Sequence, residues 1–482
     1  MGPRTKIVAT LGPATEDAAT LAALIDAGTD VVRLNLSHGP LDDHLRRLEL
    51  VRRVAAERGR QVAVLADLPG PKIRCGTFPP GGVELLAGST VRLRPGRGTS
   101  DASCIHVDYP TLLDDVQVGS RVQLGDGAVA MQVVAVDADA ATARIETGGH
   151  ANGRPGVHLS SETLRLPSPT ARDLELAAVV AGVGVEFVAV SFVRAAPDLE
   201  RVREVVGGRA QLVAKIETTA AVANLPEILR ATDAVMVARG DLGIDCPIED
   251  VPHLQKDIVR RCVEAGIPVI TATQMLESMI TAPSPTRAEV SDVANAVFDG
   301  TDAVMLSGET AIGRDPAAVV RTMATIAARA ESEASYRQWA DRLGRVQRDP
   351  DRPLPFDAVT AALTHAAFQA AFDAKVAAIL CCTRSGRTAR AMARFRPAAK
   401  MVGLSPDPAI ARSMALSWGV DPLQVDVYGT TDEMVWFAVE RTLRAGLISA
   451  GDTVLVLAGA PSTERLPGGD VATDVLRIVR VR

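Results

Sequence analysis

The stretch LVAKIETTAAVANLPEILRATDAVMVARGD (212–241) contains the unit from which the fold is built: an apolar strand, a helix and a second apolar strand. The first strand carries Lys215 and Glu217 at its end, and Asp241 follows the second. Strands that are almost continuously apolar are typical of a parallel sheet covered by helices. The pattern predicts a βαβ unit with charged side chains where its strands end.

The same unit repeats on both sides of this stretch. Apolar strands are predicted at 5–10, 31–36, 62–67, 187–193, 212–217, 234–241, 268–275 and 303–309, each followed by a helical pattern once residues 70–165 are set aside. Eight βα units in ~240 residues match the size of a (β/α)8 TIM barrel. We therefore predict a catalytic barrel over 1–69 and 166–338, with an open doubly wound sheet as the alternative.

Residues 70–165 interrupt the series after the third strand. Alternating segments such as VRLRPG and AVAMQVVAV indicate half-exposed antiparallel strands. They predict a small inserted β-barrel domain, hinged near Pro69–Pro71 and Arg165–Pro167, which can act as a lid. A passive insertion is the alternative.

A second α/β domain is predicted at the C-terminus. Residues 339–356 are charged and rich in proline, which indicates a linker. Strands follow at 376–383, 400–405, 424–427, 453–459 and 476–481, with helices between the first four. We expect an open-sheet, regulatory α/β domain over 357–482.

Composition excludes several classes of protein. The net charge of the 482 residues is −6, aromatic residues make up 3%, and no basic run is present, which argues against a nucleic-acid partner. Six scattered cysteines without a C-x-x-C pair indicate reduced thiols. The sequence contains neither a signal-peptide pattern nor a ~20-residue apolar span. We expect a cytoplasmic protein without membrane contact.

Polar residues follow seven consecutive predicted strands, and barrel strands deliver their ends to one rim, where active sites lie. Lys215 and Glu217 point to the same face of their strand, and Asp241 ends the next one. Two carboxylates without His or Cys favour Mg²⁺ or Mn²⁺, although a simple rim salt bridge is the structural alternative. The complete rim set is Arg33, Asn35, Ser37, Asp67, Ser191, Lys215, Glu217, Gly240, Asp241, Thr273, Ser307 and Glu309.

The sequence offers several anion-binding groups but no common phosphate motif. Arg33 and Arg74 supply planar forks for phosphate or carboxylate, and the glycines of VARGDLG (237–243) let backbone N–H groups approach an anion. Neither G-x-x-x-x-G-K-[ST] nor G-x-G-x-x-G is present, which excludes a P-loop or protein-kinase type of phosphoryl transfer.

Seven motifs resemble, in order and spacing, those of the pyruvate kinase family: RLNLSHG (33–39), DLPGPKIR (67–74), KIE (215–217), MVARGDLG (236–243), ITATQMLESMI (270–280), PTRAEVSDVANAVFDGTDAVMLSGET (285–310) and TRSGRTAR (383–390). The resemblance extends over essentially the full chain. It implies transfer of the phosphoryl group of phosphoenolpyruvate to ADP, giving ATP and pyruvate in the last step of glycolysis. It also implies a homotetramer.

The resemblance assigns roles to individual residues. It implies that Lys215, Arg33 and Thr273 are catalytic, and that the backbone of Gly240 and Asp241 holds the substrate carboxylate. It implies that Glu217 and Asp241 bind the divalent ion. The implied nucleotide contacts are Asn35, His38, Arg74 and Arg154, the last in a segment that departs from the family pattern.

Many members of the family need K⁺, and the resemblance places its ligands at Asn35, Ser37, Asp67 and Leu68. The K⁺-dependent pattern D-T-K-G-P-E-I-R has an acid where DLPGPKIR has Lys72. A lysine ammonium supplies the same unit charge and repels K⁺ from the adjacent pocket. We therefore predict that K⁺ is not required, with a solvated hinge lysine as the alternative.

The loop TRSGRT lies between a predicted strand and a helix N-terminus, which makes it a good phosphate cradle. We predict that an allosteric effector places its phosphate on Thr383, Ser385, Gly386 and Thr388, as the resemblance also implies. Cys381 and Arg387 have the C-x5-R spacing of a phosphatase loop, but Leu380 stands where such loops carry His.

Two other functions remain open at this point. A metal-dependent lyase or aldolase acting on an enolpyruvate would share the ion but would need neither the lid nor the nucleotide site. A catalytically silent sensor of phosphorylated metabolites would be expected to lose one of the four central site residues, Lys215, Glu217, Asp241 or Thr273.

Overall fold

The computed structural model of the chain describes residues 2–125, 127, 129–159, 166–334, 336–347, 356–459 and 473–482. Three barrel strands come first, with a helix after each of the first two: β1 (Lys6–Thr10), α1 (Ala18–Asp26), β2 (Val31–Asn35), α2 (Leu41–Glu57) and β3 (Ala63–Asp67).

An all-β domain follows β3, as predicted. Its elements are β4 (Val83–Leu85), β5 (Thr90–Pro95), β6 (Cys104–Val107), α3 (Leu112–Asp115), β7 (Arg121–Leu124), β8 (Val129–Val136), β9 (Ala141–Thr147), β10 (Gly149–Ala151) and β11 (Val157–Leu159). The main sheet has the order β11-β7-β8-β9-β5-β6, and β10 pairs with β4. It is a half-barrel, and single bridges from Arg74 to Gly156 and from Cys75 to Val107 cross the gap between its edges. The predicted hinge at Arg165–Pro167 lies partly outside the described residues.

The barrel then resumes and closes. Its remaining elements are α4 (Ala171–Gly182), β12 (Phe187–Val190), α5 (Ala196–Val206), β13 (Gln211–Ile216), α6 (Thr219–Ala223), α7 (Leu225–Ala231), β14 (Ala234–Ala238), α8 (Arg239–Asp245), α9 (Val251–Ala265), β15 (Val269–Ala272), α10 (Arg287–Asp299), β16 (Ala303–Leu306), α11 (Gly308–Ala311) and α12 (Pro316–Glu333). The parallel ring runs β1-β16-β15-β14-β13-β12-β3-β2. The predicted TIM barrel is confirmed, and the open doubly wound sheet is excluded.

Two local differences from the predicted barrel have simple causes. The single helix predicted between the strands at 212–217 and 234–241 is divided at Asn224 into α6 and α7, because Pro226 fits only the first turn of a helix. The helix α8 begins directly at the end of β14, so that residues 239–241, the last three of the strand predicted at 234–241, are helical. The helix starts at α4 and α10 follow sequence rules, since capping boxes join Thr170 to Asp173 and Thr286 to Glu289.

Alternate strand residues separate two cores of the barrel. Val8, Leu65 and Phe187 fill the inside of the ring, whereas Ile7 and Val64 pack against the surrounding helices. This layered interior leaves only the strand ends for polar side chains.

The C-terminal domain contains α13 (Tyr336–Gln347), α14 (Ala358–Asp373), β17 (Ala378–Cys382), α15 (Arg387–Ala393), β18 (Lys400–Ser405), α16 (Pro408–Ser413), β19 (Val420–Gln424), α17 (Thr431–Arg444), β20 (Thr453–Ala458) and β21 (Val475–Arg480). Its open sheet has the order β19-β18-β17-β20-β21, with only the β20–β21 pair antiparallel among the described strands. Within the described ranges, every helix is too short or too polar to cross a membrane.

The predicted linker over 339–356 needs correction in its first part. Residues up to Gln347 belong to α13, because Ala340 and Leu343 form an apolar side that is buried in the C-terminal core. The charged residues between them conceal this helical spacing in the sequence. Residues 348–355 lie outside the described part of the chain.

A buried ion pair joins the C-terminal domain to the barrel. The Arg396 side chain is almost fully buried, and its Nη1 atom lies 3.0 Å from Oδ1 of Asp302, at the start of β16. Its Nη2 atom donates to the carbonyl of Gly300 at 2.6 Å, and the guanidinium lies 4.8 Å from the ring centre of Trp418.

The substitution Arg396→Met is expected to lower the free energy of unfolding by about 3 kcal/mol, because it leaves the Asp302 carboxylate buried without its counter-charge. Urea unfolding followed by tryptophan fluorescence measures the change. Arg384→Met removes an exposed arginine and serves as the control. An unfolding midpoint equal to that of the parent protein would contradict this role.

Candidate active site

A cavity of about 250 Å³ lies at the C-terminal ends of the barrel strands, beneath the inserted domain. The barrel contributes most of its polar wall, and the segment 69–74 and β11 cover it from above. The polar residues that line it are Arg33, Asn35, Ser37, His38, Lys72, Arg74, His158, Ser168, Ser191, Arg194, Lys215, Glu217, Thr218 and Asp241.

Three oxygen atoms from three neighbouring strand ends direct the ammonium of Lys215. Its Nζ atom lies 2.8 Å from Oε1 of Glu217 and 3.2 Å from Oδ1 of Asp67, and it donates to Oγ of Ser191 at 2.7 Å. Burial alone would lower the pKa of Lys215, but the two carboxylates outweigh it and hold this pKa above its usual range. The ammonium is therefore charged at neutral pH and fixed in position.

The Asp67 carboxylate also directs a second cation. Nε of Arg33 lies 2.7 Å from Oδ2 of Asp67, and Nη1 donates to Oγ1 of Thr10 at 3.2 Å. Burial would raise the pKa of Asp67, but the charges of Lys215 and Arg33 lower it below its usual range. One ionised carboxylate thus positions both cations at the cavity wall.

Glu217 and Asp241 form an acidic pair that suits a cation. Oε2 of Glu217 accepts a hydrogen bond from the backbone N–H of Phe192 at 2.7 Å, whereas its buried Oε1 has no hydrogen bond of good geometry. Burial raises the pKa of Glu217 to about 7; the Asp241 charge adds to this shift and Lys215 opposes it. A divalent cation held by the two carboxylates would offset the repulsion between them and the cost of burying Glu217 in its charged form.

The carboxylates of Glu217 and Asp241 would occupy only some of the coordination positions of such a cation. Among the described residues, no group of three or more His, Cys, Asp or Glu side chains could hold a metal ion. Two carboxylate oxygens suit Mg²⁺ or Mn²⁺, which retain several positions for substrate and water. The residues present therefore fit the predicted divalent ion.

Thr273 and Gly240 lie together behind the cavity wall. Oγ1 of Thr273 accepts from the N–H of Gly240 at 2.9 Å and donates to the carbonyl of Ala272 at 2.7 Å. Thr273 has a φ of +68°, a conformation that a β-branched residue rarely adopts. The strained backbone indicates that neighbouring groups fix this threonine.

Arg239 supplies that constraint, a role that was not predicted from the sequence. Its Nη2 donates to the carbonyl of Thr273 at 2.7 Å and its Nε donates to the carbonyl of Ala272 at 3.1 Å, while Nη1 lies 2.7 Å from Oδ1 of Asp292. Arg239 therefore holds the end of β15 and the start of α8, which carries Asp241. The only sequence signal is an arginine placed directly after a buried strand.

The predicted nucleotide contacts are only partly brought together. Asn35, His38 and Arg74 line the cavity. Arg154 does not: its Nε donates to the carbonyl of Cys75 at 3.2 Å and its Nη2 lies 3.3 Å from Oδ2 of Asp108, within the inserted domain. Burial lowers the pKa of His38, and the charges of Lys72, Arg74 and Arg33 lower it further. Its ring is therefore uncharged at neutral pH.

The polar residues predicted after the last strand, Ser307 and Glu309, follow β16 but support its loop. Oε1 of Glu309 accepts from the N–H of Leu276 at 3.1 Å, and Oε2 accepts from the N–H of Ser307 at 2.6 Å. Glu309 is buried, and neither residue lines the cavity. These groups complete the backbone hydrogen bonding of the β15 and β16 loops.

The predicted effector loop leads into α15, and only part of it is exposed. Gly386 has a φ of +79°, and its N–H donates to Oγ1 of Thr383 at 3.0 Å, while Ser385 is exposed. Thr388 is buried, and its hydroxyl is hydrogen-bonded to that of Thr473 at 2.7 Å. Burial raises the pKa of both Cys381 and Cys382, the latter to about 12, so neither supplies a phosphatase-type thiolate.

Comparison with known proteins agrees with this geometry. The family model described as "Pyruvate kinase, barrel domain" matches residues 2–320, and the one described as "Pyruvate kinase, alpha/beta domain" matches residues 361–479. The pyruvate kinase of Geobacillus stearothermophilus is 42% identical over 96% of this chain and 79% of its own length. The pyruvate kinase of Mycobacterium tuberculosis is 38% identical over 100% and 99%.

A solved structure leads to the same assignment. A crystal structure of a pyruvate kinase from Cryptosporidium parvum superimposes with a TM-score of 0.90 at 32% identity, covering 100% of this chain and 96% of its own. With the paired cations and carboxylates at the barrel rim, these similarities define a phosphotransferase. The chain belongs to the pyruvate kinase family. The resemblance predicted from the sequence is confirmed, and the lyase and silent-sensor alternatives are set aside.

The substitution Arg239→Met is expected to lower kcat by roughly tenfold or more, since it releases the strained Thr273 and the start of α8. The KM for phosphoenolpyruvate should change less than kcat. Arg239→Lys, which keeps the charge, should recover part of the loss. Arg203→Met, which removes a surface pair with Asp233, is the control. Equal kcat values in Arg239→Met and the parent would refute this positioning role.

Proposed function

We propose that the cavity binds phosphoenolpyruvate together with a divalent cation, and that ADP binds beside it under the inserted domain. The observation that carries this proposal is the Lys215 ammonium, held by three oxygens of three strand ends and facing a cavity whose floor also carries Glu217 and Asp241. The site thus combines fixed positive charge with a cation pocket, as phosphoryl transfer requires.

In the proposed transfer, the bond between phosphorus and the enol oxygen breaks while a bond to a terminal oxygen of ADP forms. Negative charge on the phosphoryl oxygens is neutralised by Lys215 and by Arg33, whose orientations are fixed before the substrate arrives. Because the pKa of Lys215 is raised, this residue acts as a permanent charge and does not transfer a proton.

Glu217 and Asp241 would hold the divalent ion, Mg²⁺ or Mn²⁺. When bound, that ion supplies further positive charge to the oxygens of the substrate. The N–H groups at the start of α8, around Gly240 and Asp241, are proposed to hold the substrate carboxylate.

After transfer, the enolate takes up a proton on carbon to give pyruvate. We assign Thr273 to the placement of the proton-delivering water, on the strength of its hydrogen bond to Gly240 and its fixed backbone. A role in placing water requires a precise hydroxyl position, and Arg239 provides it through the Thr273 carbonyl.

The inserted domain is proposed to close over the reactants and exclude water, which would otherwise hydrolyse the phosphoryl group. Nε2 of Gln123, in β7, lies 3.5 Å from the carbonyl of Ile244 in α8, so the domain already approaches the helix that carries Asp241. Asn35, His38 and Arg74 are the proposed nucleotide contacts. Arg154 remains a proposed contact that would first have to leave Asp108.

K⁺ is proposed to be unnecessary. Three of the four predicted K⁺ ligands, Asn35, Leu68 and Asp67, already have protein partners. Oδ1 of Asn35 accepts from the N–H of Ser37 at 3.2 Å, and the Leu68 carbonyl accepts from Oγ of Ser191 at 2.8 Å. The Asp67 carboxylate is held by Arg33 and Lys215. Lys72 lies in the wall of the same cavity.

Regulation and assembly are also proposals. The exposed part of the loop at Thr383–Ser385 is proposed to bind the phosphate of an allosteric effector, with the N–H groups that follow Gly386. A homotetramer follows the family resemblance. Six free cysteines support a reducing, cytoplasmic location.

The substitution Lys215→Met is expected to abolish phosphoryl transfer, with a loss in kcat that corresponds to more than ~4 kcal/mol. The fold and the binding of Mn²⁺, followed by electron paramagnetic resonance, should be nearly unchanged. Lys256→Met, which removes an exposed lysine, is the matched control. Retention of more than about a hundredth of the parent kcat would show that the assigned role is wrong.

Full activity is expected in a buffer whose only monovalent cations are Tris and tetramethylammonium. Lys72→Glu should create a requirement for K⁺, because the substitution reverses the charge beside Asn35 and Ser37. Initial rates with phosphoenolpyruvate, ADP and Mg²⁺, with and without KCl, measure both. An unmodified enzyme that is inactive without KCl and rescued about tenfold by it would count against the proposal.

A further inference from the structure

A second cavity lies at the opposite end of the barrel from the active site. It has a volume of about 10 Å³ and lies between the base of β15 and β16 and the helix α15 of the C-terminal domain. Its polar wall consists of Asp302, Arg390, Arg394, Arg396 and Ser417. This volume admits one particle of about the size of a water molecule.

Positive charge dominates this wall, with three guanidinium groups and one carboxylate. Asp302 is committed to Arg396, at 3.0 Å. In the described part of the chain, Arg390 and Arg394 have no carboxylate within ion-pair distance. Asp233 is the acid that acts on Arg390 from farther away, and it is paired with Arg203 at 3.0 Å.

Among the described residues, Arg390 and Arg394 have uncharged hydrogen-bond partners, which do not use all of their N–H donors. Nη1 of Arg390 reaches Oε1 of Gln211 only at 3.5 Å. Arg394 donates from Nη2 to Gln347 and lies against the rings of Phe356 and Phe395.

Two donors in this wall have no partner at all among the described residues. The Nε atoms of Arg394 and Arg396 are buried without a hydrogen bond. Both side chains are more than nine-tenths buried, at 4% and 2% exposure. Burial lowers the pKa of Arg394 to about 10 and also lowers that of Arg390. An uncompensated buried charge of this kind is costly, and a guanidinium does not lose its proton in a protein. With no acid of the described residues in place, a counter-ion is the relief that this part of the chain leaves open.

We propose that this cavity binds a small inorganic anion of about the size of chloride, held by Arg390, Arg394 and Arg396 between the barrel and the C-terminal domain. A phosphate ester or a carboxylate metabolite is too large for the volume. The anion joins α15 to the base of the barrel, because Arg390 contacts Gln211, the first residue of β13, and the far end of that strand carries Lys215.

Thermal unfolding of the full chain tests the proposal in solution. Sodium chloride is compared with sodium gluconate at the same ionic strength, since gluconate is too large for the cavity. Chloride should raise the Tm by about 2 °C in a saturable manner. The rise should be lost in Arg394→Met and in Arg390→Met, and retained in Arg201→Met, which removes an exposed arginine of α5. Two cavity variants guard against the failure of one of them to fold.

Diffraction from crystals grown in sodium bromide locates the ion. An anomalous peak in contact with the three guanidinium groups, together with the chloride-dependent Tm, would support the site. A water molecule without anomalous signal, or equal Tm values in chloride and gluconate, would overturn it. A chloride effect that persists in both cavity variants would also overturn it, because the ion would then bind elsewhere.

Discussion

The buried carboxylate of Asp67 is the interaction on which the active site depends. It receives Arg33 from the neighbouring strand on one oxygen and lies 3.2 Å from Lys215 on the other. Both cations therefore share one counter-charge in a buried wall, where an unpaired charge is costly. Asp67 is also the last residue of β3, directly before the segment that leads into the inserted domain. Asp67 therefore contacts both cations of the site and also stands directly before the segment that leads into the inserted domain.

The same rim also anchors the segment that leads into the inserted domain. At the lid base, Gly70 has a φ of +68°, and a Cβ atom there would lie 2.8 Å from that of Ser191, so only glycine fits. The N–H of Gly70 donates to Asp173, in the capping box of α4, at 3.0 Å. The turn is therefore anchored to the barrel, which leaves the site fixed at the point where the proposed closure of the β domain would begin.

Much of this could be predicted from the sequence because the signals are local. Apolar strands at a regular spacing predict the barrel, and Lys215 and Glu217 share a strand face by alternation alone. The missed features depend on contacts between distant segments. Arg239 acts on the carbonyl of Thr273 and Glu309 on the N–H of Leu276, and neither pairing has a sequence pattern. Arg154 turns toward Asp108 in a segment whose sequence departs from the family, and α13 is concealed because charged residues separate its buried positions.

The most direct test of this account is the kcat of Asp67→Asn, measured without K⁺ so that a cation-pocket role of Asp67 does not contribute. Asparagine keeps the shape of the side chain and removes the charge that both cations share. The account predicts a fall in kcat of more than about a hundredfold, with Mn²⁺ still bound, because Glu217 and Asp241 are untouched. A kcat within a few-fold of the parent value would show that Arg33 and Lys215 are positioned without Asp67, and would contradict the account.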